Sequence, residues 1–201
     1  MFRNEASPAG RSDEDAEDVR LMELVRGGDT GAFEELVQRH QRLVLGTVAR
    51  MLGHNSDVED IAQQVFVRVW KSAKRYLPRA KFTTWLLTIT RNLVFNEIRR
   101  RSRHAHVPLQ PIPDEEERPL RDEHVSTPDD ALLEEELQQA IDDAIAQLPE
   151  SQRMAVVLRR YEELNYEEIA EVLEQSVPAV KSLLFRARTE LRTKLARYLA
   201  G

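Results

Sequence analysis

The sequence predicts an all-α chain of two small helical domains joined by an acidic, proline-containing linker. Three observations lead there. Apolar residues recur at spacings of three and four along most of the 201 residues, and no stretch shows convincing period-two alternation. Charge is segmented: residues 31–104 hold fourteen basic and six acidic side chains, whereas residues 105–150 hold two and fourteen. Five prolines fall within residues 104–130, HAHVPLQPIPDEEERPLRDEHVSTPDD, which offer few candidates for a core.

Residues 1–18, MFRNEASPAGRSDEDAED, are charged and nearly devoid of large apolar groups, so a disordered tail is expected. Helices are expected near 19–27, 31–52, 57–76 and 82–102, then near 130–147, 150–163, 166–173 and 177–199. This divides the chain into a tail (1–18), a first domain (19–104), a linker (105–129) and a second domain (130–201).

Phe33, Leu36, Val37, His40, Leu43, Val44 and Val48 form the apolar stripe of one helix, with His40 at the core's edge. After Gly53-His54-Asn55-Ser56 a new helix starts with Asp57, Glu59 and Asp60 in its first turn, where carboxylates complement the helix dipole. His54 beside Asp57 is explained by a capped helix start. No further ligand converges on them, so no metal site is expected. The stripe of this helix is Val58, Ile61, Ala62, Val65, Phe66 and Val69. Gln63, Gln64, Arg68 and Lys71 lie off it, open to solvent or a partner protein.

In the helix from Thr83 to Arg103, Trp85, Leu86, Ile89 and Leu93 can pack inward. Thr84, Thr88, Arg91, Asn92, Phe95, Asn96 and Arg99 face outward, followed by the run Arg99-Arg100-Arg101 and Arg103. Aromatic and amide groups interleaved with arginine suit melted DNA, whose exposed bases stack while its backbone charge is neutralised. A basic loop, Lys74 to Lys81, precedes this helix. The alternative is a solvated helix end whose cations complement its own dipole.

Residues Tyr166 to Arg188, YEEIAEVLEQSVPAVKSLLFRAR, have the pattern of a helix-turn-helix. Ile169, Ala170 and Leu173 line the first helix, the break falls at Glu174-Gln175-Ser176, and Ser176 can cap a second helix with Pro178 just inside its start. Val177, Val180, Leu184, Ala187, Leu191 and Leu195 make one buried stripe. Lys181, Ser182, Phe185, Arg186 and Arg188 point elsewhere, as base and phosphate contacts do in a major-groove helix. A plain helical hairpin with a solvated basic face is the other reading of the pattern.

Composition narrows the function classes. The chain has no cysteine, excluding disulfides and thiolate metal sites and fitting a reducing compartment. It has no run of 18 apolar residues and no signal-peptide core, so a cytoplasmic protein without membrane insertion is expected. The acidic residues sit at helix starts and in the linker instead of converging with a nucleophile or base, which argues against an enzyme or a bound cofactor. The net charge of −6 still permits DNA binding, because phosphate attraction is local to the basic blocks. The acidic segment should weaken DNA binding by the free chain, pointing to a reader that works with a partner.

The order DVEDIAQQVFVRVW, KFTTWLLTITRNLVFNEIRRRSR, a linker, then LPESQRMAVVLRRYEELNYEEIAEVLEQSVPAVKSLLFRAR resembles a bacterial sigma factor. More narrowly, it resembles the extracytoplasmic-function (ECF) group of the sigma-70 family, from about Asp18 to Leu199. The resemblance implies a non-enzymatic initiation factor that joins core RNA polymerase and directs it to promoter DNA. Residues 19–104 would be the sigma-2-like domain and residues 130–201 the sigma-4-like domain. Asp60, Gln63, Gln64, Arg68 and Lys71 match the surface that grips the clamp helices of the polymerase's largest subunit. Many relatives have Gln-Glu where this chain has Gln63-Gln64, which removes a charge.

By the same resemblance, Pro78, Arg79, Lys81, Thr84, Arg91, Asn92, Asn96 and Arg99 belong to the region that recognises and opens the minus-ten element. There a base is captured in a protein pocket, at an unstacking cost of a few kcal/mol. Lys181, Ser182, Phe185, Arg186 and Arg188 match the minus-thirty-five readers. Leu183 replaces a frequent arginine of the V-K-S-R-L pattern; it can meet a thymine methyl or pack. The resemblance also implies an anti-sigma factor as a partner. The linker is either a spacer or an acidic tether crossing positively charged polymerase channels. An autonomous helix-turn-helix regulator is the competing reading; it leaves the separate basic helix at 83–103 unexplained.

Overall fold

The computed structural model describes residues 13–53, 57–104 and 128–199, and among these all regular structure is helical. Most of the expected tail (1–12), His54 with its neighbours (54–56) and residues 105–127 of the linker lie outside the described residues.

The first domain holds α1 (Asp13–Arg26), α2 (Thr30–Leu52), α3 (Asp57–Ser72), a 3-10 turn (Ala73–Arg75) and α4 (Phe82–His104). Its start corrects the expectation of disorder through residue 18, because α1 begins at Asp13 and buries Asp15 and Asp18. These carboxylates are in helical phase with Met22 and Val25, so the buried stripe of α1 simply continues in acidic residues. Asp15 Oδ1 accepts the backbone N–H of Phe82 at 2.8 Å, satisfying an orphan donor at the start of α4. Asp18 Oδ1 accepts from Arg39 Nε at 2.9 Å, and its Oδ2 lies 2.9 Å from His40 Nε2. His40 is therefore buried beside a carboxylate, and its ring sits 5.0 Å from that of Phe82.

Local chemistry sets the other boundaries. Asp29 caps α2 by accepting from the Ala32 N–H at 3.0 Å, and Gly53 ends the helix at φ 78° with its N–H on Ala49 O. The helix expected over 57–76 stops at Ser72. The chain tightens into the 3-10 turn and buries Tyr76, whose ring lies 4.8 Å from Trp85 and 6.2 Å from Phe82. Leu21, Leu36, Val44, Val65, Val69, Phe82 and Leu86 fill the core between these helices, each contributing about 1.5–3 kcal/mol on full burial.

The second domain holds α5 (Pro128–Ala146), α6 (Glu150–Arg160), α7 (Tyr166–Leu173), α8 (Val177–Lys194) and α9 (Ala196–Leu199). Helix α6 ends three residues before its expected boundary, and the last expected helix is interrupted at Leu195. Helix α7 carries a full capping box: Asn165 Oδ1 accepts from the Glu168 N–H at 2.8 Å, and Glu168 Oε2 accepts from the Asn165 N–H at 2.9 Å. Glu174, in the left-handed region at φ 54°, closes α7, and Ser176 caps α8 through the Ala179 N–H. Met154, Leu158, Ile169, Val172, Val180 and Ala187 form the core of this domain.

The two domains pack on each other, and one apolar cluster is continuous through both. Helix α4 lies along α7, and α2 lies along α6. The guanidinium of Arg50 sits 4.1 Å from the Tyr161 ring centroid, within cation–π range. Arg153 donates to Met51 O at 2.7 Å and to Leu148 O and Ala146 O, bridging the carbonyl ends of α2 and α5.

Candidate nucleic-acid interface

Helix α8 places Lys181, Ser182, Phe185, Arg186 and Arg188 together on one exposed face. Phe185 is 72% exposed, unusual for a large apolar side chain in a folded domain. The Ser182 hydroxyl donates back to Pro178 O at 3.0 Å, and Lys181 Nζ lies 5.8 Å from the Tyr166 ring centroid. Leu183, in contrast, is half-buried and packs against the apolar cluster. The stripe opposite is anchored by Val180 and Ala187, with Leu184 and Leu191 half-buried.

Helix α4 divides the residues expected on its outer face into two stripes. Asn92, Asn96 and Arg99 are exposed at helical spacing, and Arg99 Nη2 donates to Asn96 Oδ1 at 3.1 Å. Pro78, Arg79 and Lys81 are exposed in the preceding loop. Thr84 and Arg91 are not outward: both are buried, which corrects the sequence expectation. Thr88 is half-buried, and Phe95 packs against the core cluster. For Arg91 the reason lies in the second domain. Arg91 Nη2 donates to Glu174 Oε1 at 2.6 Å and Nη1 to Leu173 O at 3.4 Å, so the C-terminal end of α7 covers this stripe. Lys81 Nζ lies 2.7 Å from Glu168 Oε1. That hydrogen bond holds Lys81 above the usual lysine range. Burial pushes Glu168 upward, but Lys81 and the Asn165 N–H outweigh it and leave the carboxyl below its ordinary value.

The basic run at the end of α4 is also less available than its sequence implies. Arg100 Nε donates to Glu97 Oε2 at 2.7 Å and Arg101 Nε to Glu97 Oε1 at 2.9 Å. Arg101 also reaches Asp57 Oδ2 at 2.9 Å and Leu52 O at 3.2 Å, tying α4 to the junction of α2 and α3. Hydrogen bonds from Arg100 and Arg101 hold the buried Glu97 carboxyl below the ordinary range, against the upward push of burial.

Asp60, Gln63, Gln64, Arg68 and Lys71 lie exposed along the outer face of α3. The structure adds two residues that the sequence reading passed over. Val67 is 49% exposed and Trp70 37% exposed, in phase with Gln63 and Gln64, so this polar face has an apolar centre. Trp70 is steadied edge-on by Phe33, at 5.1 Å between centroids. Their helical phase was the available signal. Glu168 was likewise readable as the fourth residue of an Asn-x-x-Glu capping box. Nothing local pointed to its contact with Lys81.

Residues 36–104 match the family described as Sigma-70 region 2, and residues 138–191 match Sigma-70, region 4. The chain is 35% identical over 184 residues to the ECF RNA polymerase sigma-E factor of Haemophilus influenzae, covering 89% of this chain and 95% of that protein. The chain belongs to the ECF group of the sigma-70 family of RNA polymerase sigma factors.

Two solved structures share the fold of this sigma factor. CnrH in complex with the cytosolic domain of CnrY is 25% identical with a TM-score of 0.64, covering 90% of this chain and 98% of that one. The sigma factor RpoE in complex with the anti-sigma factor NepR from Bartonella quintana is 20% identical with a TM-score of 0.65, covering 82% and 96%. In this sigma factor the region 2 match takes in α3 and α4, and the region 4 match takes in the helix-turn-helix of α7 and α8. Among the described residues, no helix is long and apolar enough to cross a membrane.

Proposed function

We propose that this sigma factor docks on core polymerase through the outer face of α3 and reads its promoters with α8 and α4. The observation that carries the reading is the face of α8. Five polar, aromatic and cationic side chains, Lys181 to Arg188, stand exposed on a helix whose opposite stripe is locked into the helix-turn-helix core. Guanidinium and amine groups suit phosphates and guanine edges, and Phe185 offers an apolar surface to a thymine methyl. On α4, Asn92, Asn96 and Arg99, with Pro78, Arg79 and Lys81 before it, would meet the minus-ten strand. Arg91 would join them once α7 moves away, whereas Thr84 is buried. Val67 and Trp70, ringed by Asp60, Gln63, Gln64, Arg68 and Lys71, supply the apolar centre and polar rim of a protein-binding surface.

The factor acts by binding and supplies no catalytic group of its own; the polymerase performs the chemistry, in the cytoplasm. The solved relative held by an anti-sigma factor supports a regulator of that class here, acting by covering these surfaces. The test is transcription from a genomic DNA library by core polymerase with and without this protein, sequencing the RNA starts. New starts sharing two spaced upstream elements are expected. An unchanged set of starts, with polymerase active, refutes the reading.

A further inference from the structure

Leu77, in the loop between the 3-10 turn and α4, is 57% exposed, a figure that Phe185 alone exceeds among the large apolar side chains of the described residues. A lone exposed leucine is ordinary on a protein surface. This one differs in its setting and in how firmly it is presented. Residues 74–81 hold four cations, Lys74, Arg75, Arg79 and Lys81, and no acidic side chain. All four are exposed. A cationic rim suits a polyanion, whereas the mixed polar rim around Val67 and Trp70 on α3 suits a protein.

The backbone around Leu77 is fixed from both sides. Tyr76 before it and Phe82 beyond the loop are buried, with ring centroids 6.2 Å apart. The Tyr76 N–H donates to Ala73 O at 3.1 Å, and the Arg79 N–H donates to Leu77 O at 2.8 Å. The Phe82 N–H donates to Asp15 Oδ1 at 2.8 Å. Pro78 restricts Leu77 to extended conformations. The side chain is thereby held out with little further ordering to be lost on contact.

From this geometry we infer that Leu77 is an apolar wedge that enters the base stack of promoter DNA at the edge of the minus-ten element as the duplex opens. The inference rests on the proposed reading of this loop and α4 as the minus-ten face. Cations on either side of Leu77 in the chain hold phosphates, while the side chain fills the gap between two base pairs and offsets part of their lost stacking. A leucine offers no hydrogen bond to a base edge. It therefore acts on the opening step and leaves the choice of sequence to the polar groups of α4 and α8.

The test uses holoenzyme assembled from the full chain and core polymerase, on a promoter taken from the starts that the wild-type protein directs. A fluorescent adenine analogue in the minus-ten element reports unstacking. Two templates are compared, an intact duplex and one whose minus-ten element is already open through mismatches. Leu77→Ser removes the apolar bulk, and Leu77→Met keeps it. On the intact duplex L77S should slow opening about 10-fold, near the lower end of what burial of one leucine supplies, and L77M should stay close to wild type. On the pre-opened template L77S should match wild type, because no stack remains to be entered. That match also certifies that the variant is folded.

Opening of the intact duplex by L77S at the wild-type rate overturns the inference. So does an equal loss on both templates, which would assign Leu77 to something other than entry into the stack. An equal loss in L77M also overturns it, because apolar bulk would then not be the property that matters. Wild-type protein reports separately on the proposed function. Absent starts with wild type sink that reading, whereas normal starts with an unimpaired L77S sink only the wedge.

Discussion

The Glu168 carboxylate is shared between two structural levels: Oε2 accepts the Asn165 N–H at 2.9 Å to close the capping box of α7, and Oε1 lies 2.7 Å from Lys81 Nζ in the other domain. Local helix chemistry and domain packing therefore depend on one side chain. Glu168→Ala should lower the stability of the chain by about 1 kcal/mol, the scale of a lost cap. Glu168→Gln retains an acceptor for the Asn165 N–H and should cost less. Urea unfolding of the two variants checks this, and equal losses would assign the whole effect to the contact with Lys81.

Asp18 is the buried hub that joins α1 to α2 through Arg39 and His40. Asp18→Ala strands the Arg39 guanidinium and empties a buried polar position. A loss of about 1.5–3 kcal/mol is expected, the scale for hydrogen bonds to charged groups. Thermal unfolding measures it. A loss below about 0.5 kcal/mol, the range of ordinary surface substitutions, would show that α1 is dispensable to the domain.

Arg186 is exposed on the face of α8 proposed to read DNA. Arg186→Ala should reduce transcription from promoters that need the upstream element while leaving the melting temperature unchanged. If its contact is to phosphate, the salt dependence of promoter binding by the holoenzyme should shallow by about one unit of slope. An unaltered slope with weaker binding to selected sequences would assign it to a base edge instead.

Val67 projects from the centre of the exposed α3 face beside Trp70. Val67→Asp should weaken binding to core polymerase by about 10-fold or more, because truncating or charging the centre of an interface commonly costs over 1 kcal/mol. Fluorescence titration with core enzyme reads this directly. Unchanged affinity would remove the face from the docking surface.

Glu162 sits at the seam of the domains, where burial pushes its carboxyl above the ordinary value; the Thr47 hydroxyl and Arg50 pull it back only in part. A group whose folded-state value is raised contributes stability that is fully present below the unfolded value of 4.5 and lost as pH rises through the folded one. At neutral pH the buried carboxylate is therefore a liability. Glu162→Gln should raise the unfolding midpoint at pH 7, and the advantage should shrink as pH falls to 4.5 and below. An advantage independent of pH would contradict this origin.

Periodicity, caps and charge were sufficient to place most elements and the exposed face of one helix. The stripe Val177, Val180, Leu184, Ala187 and the Ser176 cap are set by neighbours within a few residues, so the exposed face of α8 was legible as its remainder. The same holds for Gln63, Gln64, Arg68 and Lys71 on α3. Asp15 and Asp18 misled because a buried carboxylate looks like a solvated one until its partner, Phe82 N–H or Arg39, arrives from far along the chain.

Propensity, capping and amphipathic phase act over one or two turns, so most helices, the two-domain order, the family resemblance and the exposed face of α8 could be read from the residues in order. That Arg91 and Thr84 lie buried, that Lys81 is paired, and that Glu97 restrains Arg100 and Arg101 follows from packing in three dimensions alone. Arg91 meets Glu174 across 83 residues. The sign and spacing of charges along α4 are written locally, but which of them remain free is settled by how closely another domain's carboxylates approach. Coulomb attraction falls with distance in space, and distance along the chain carries little information about it.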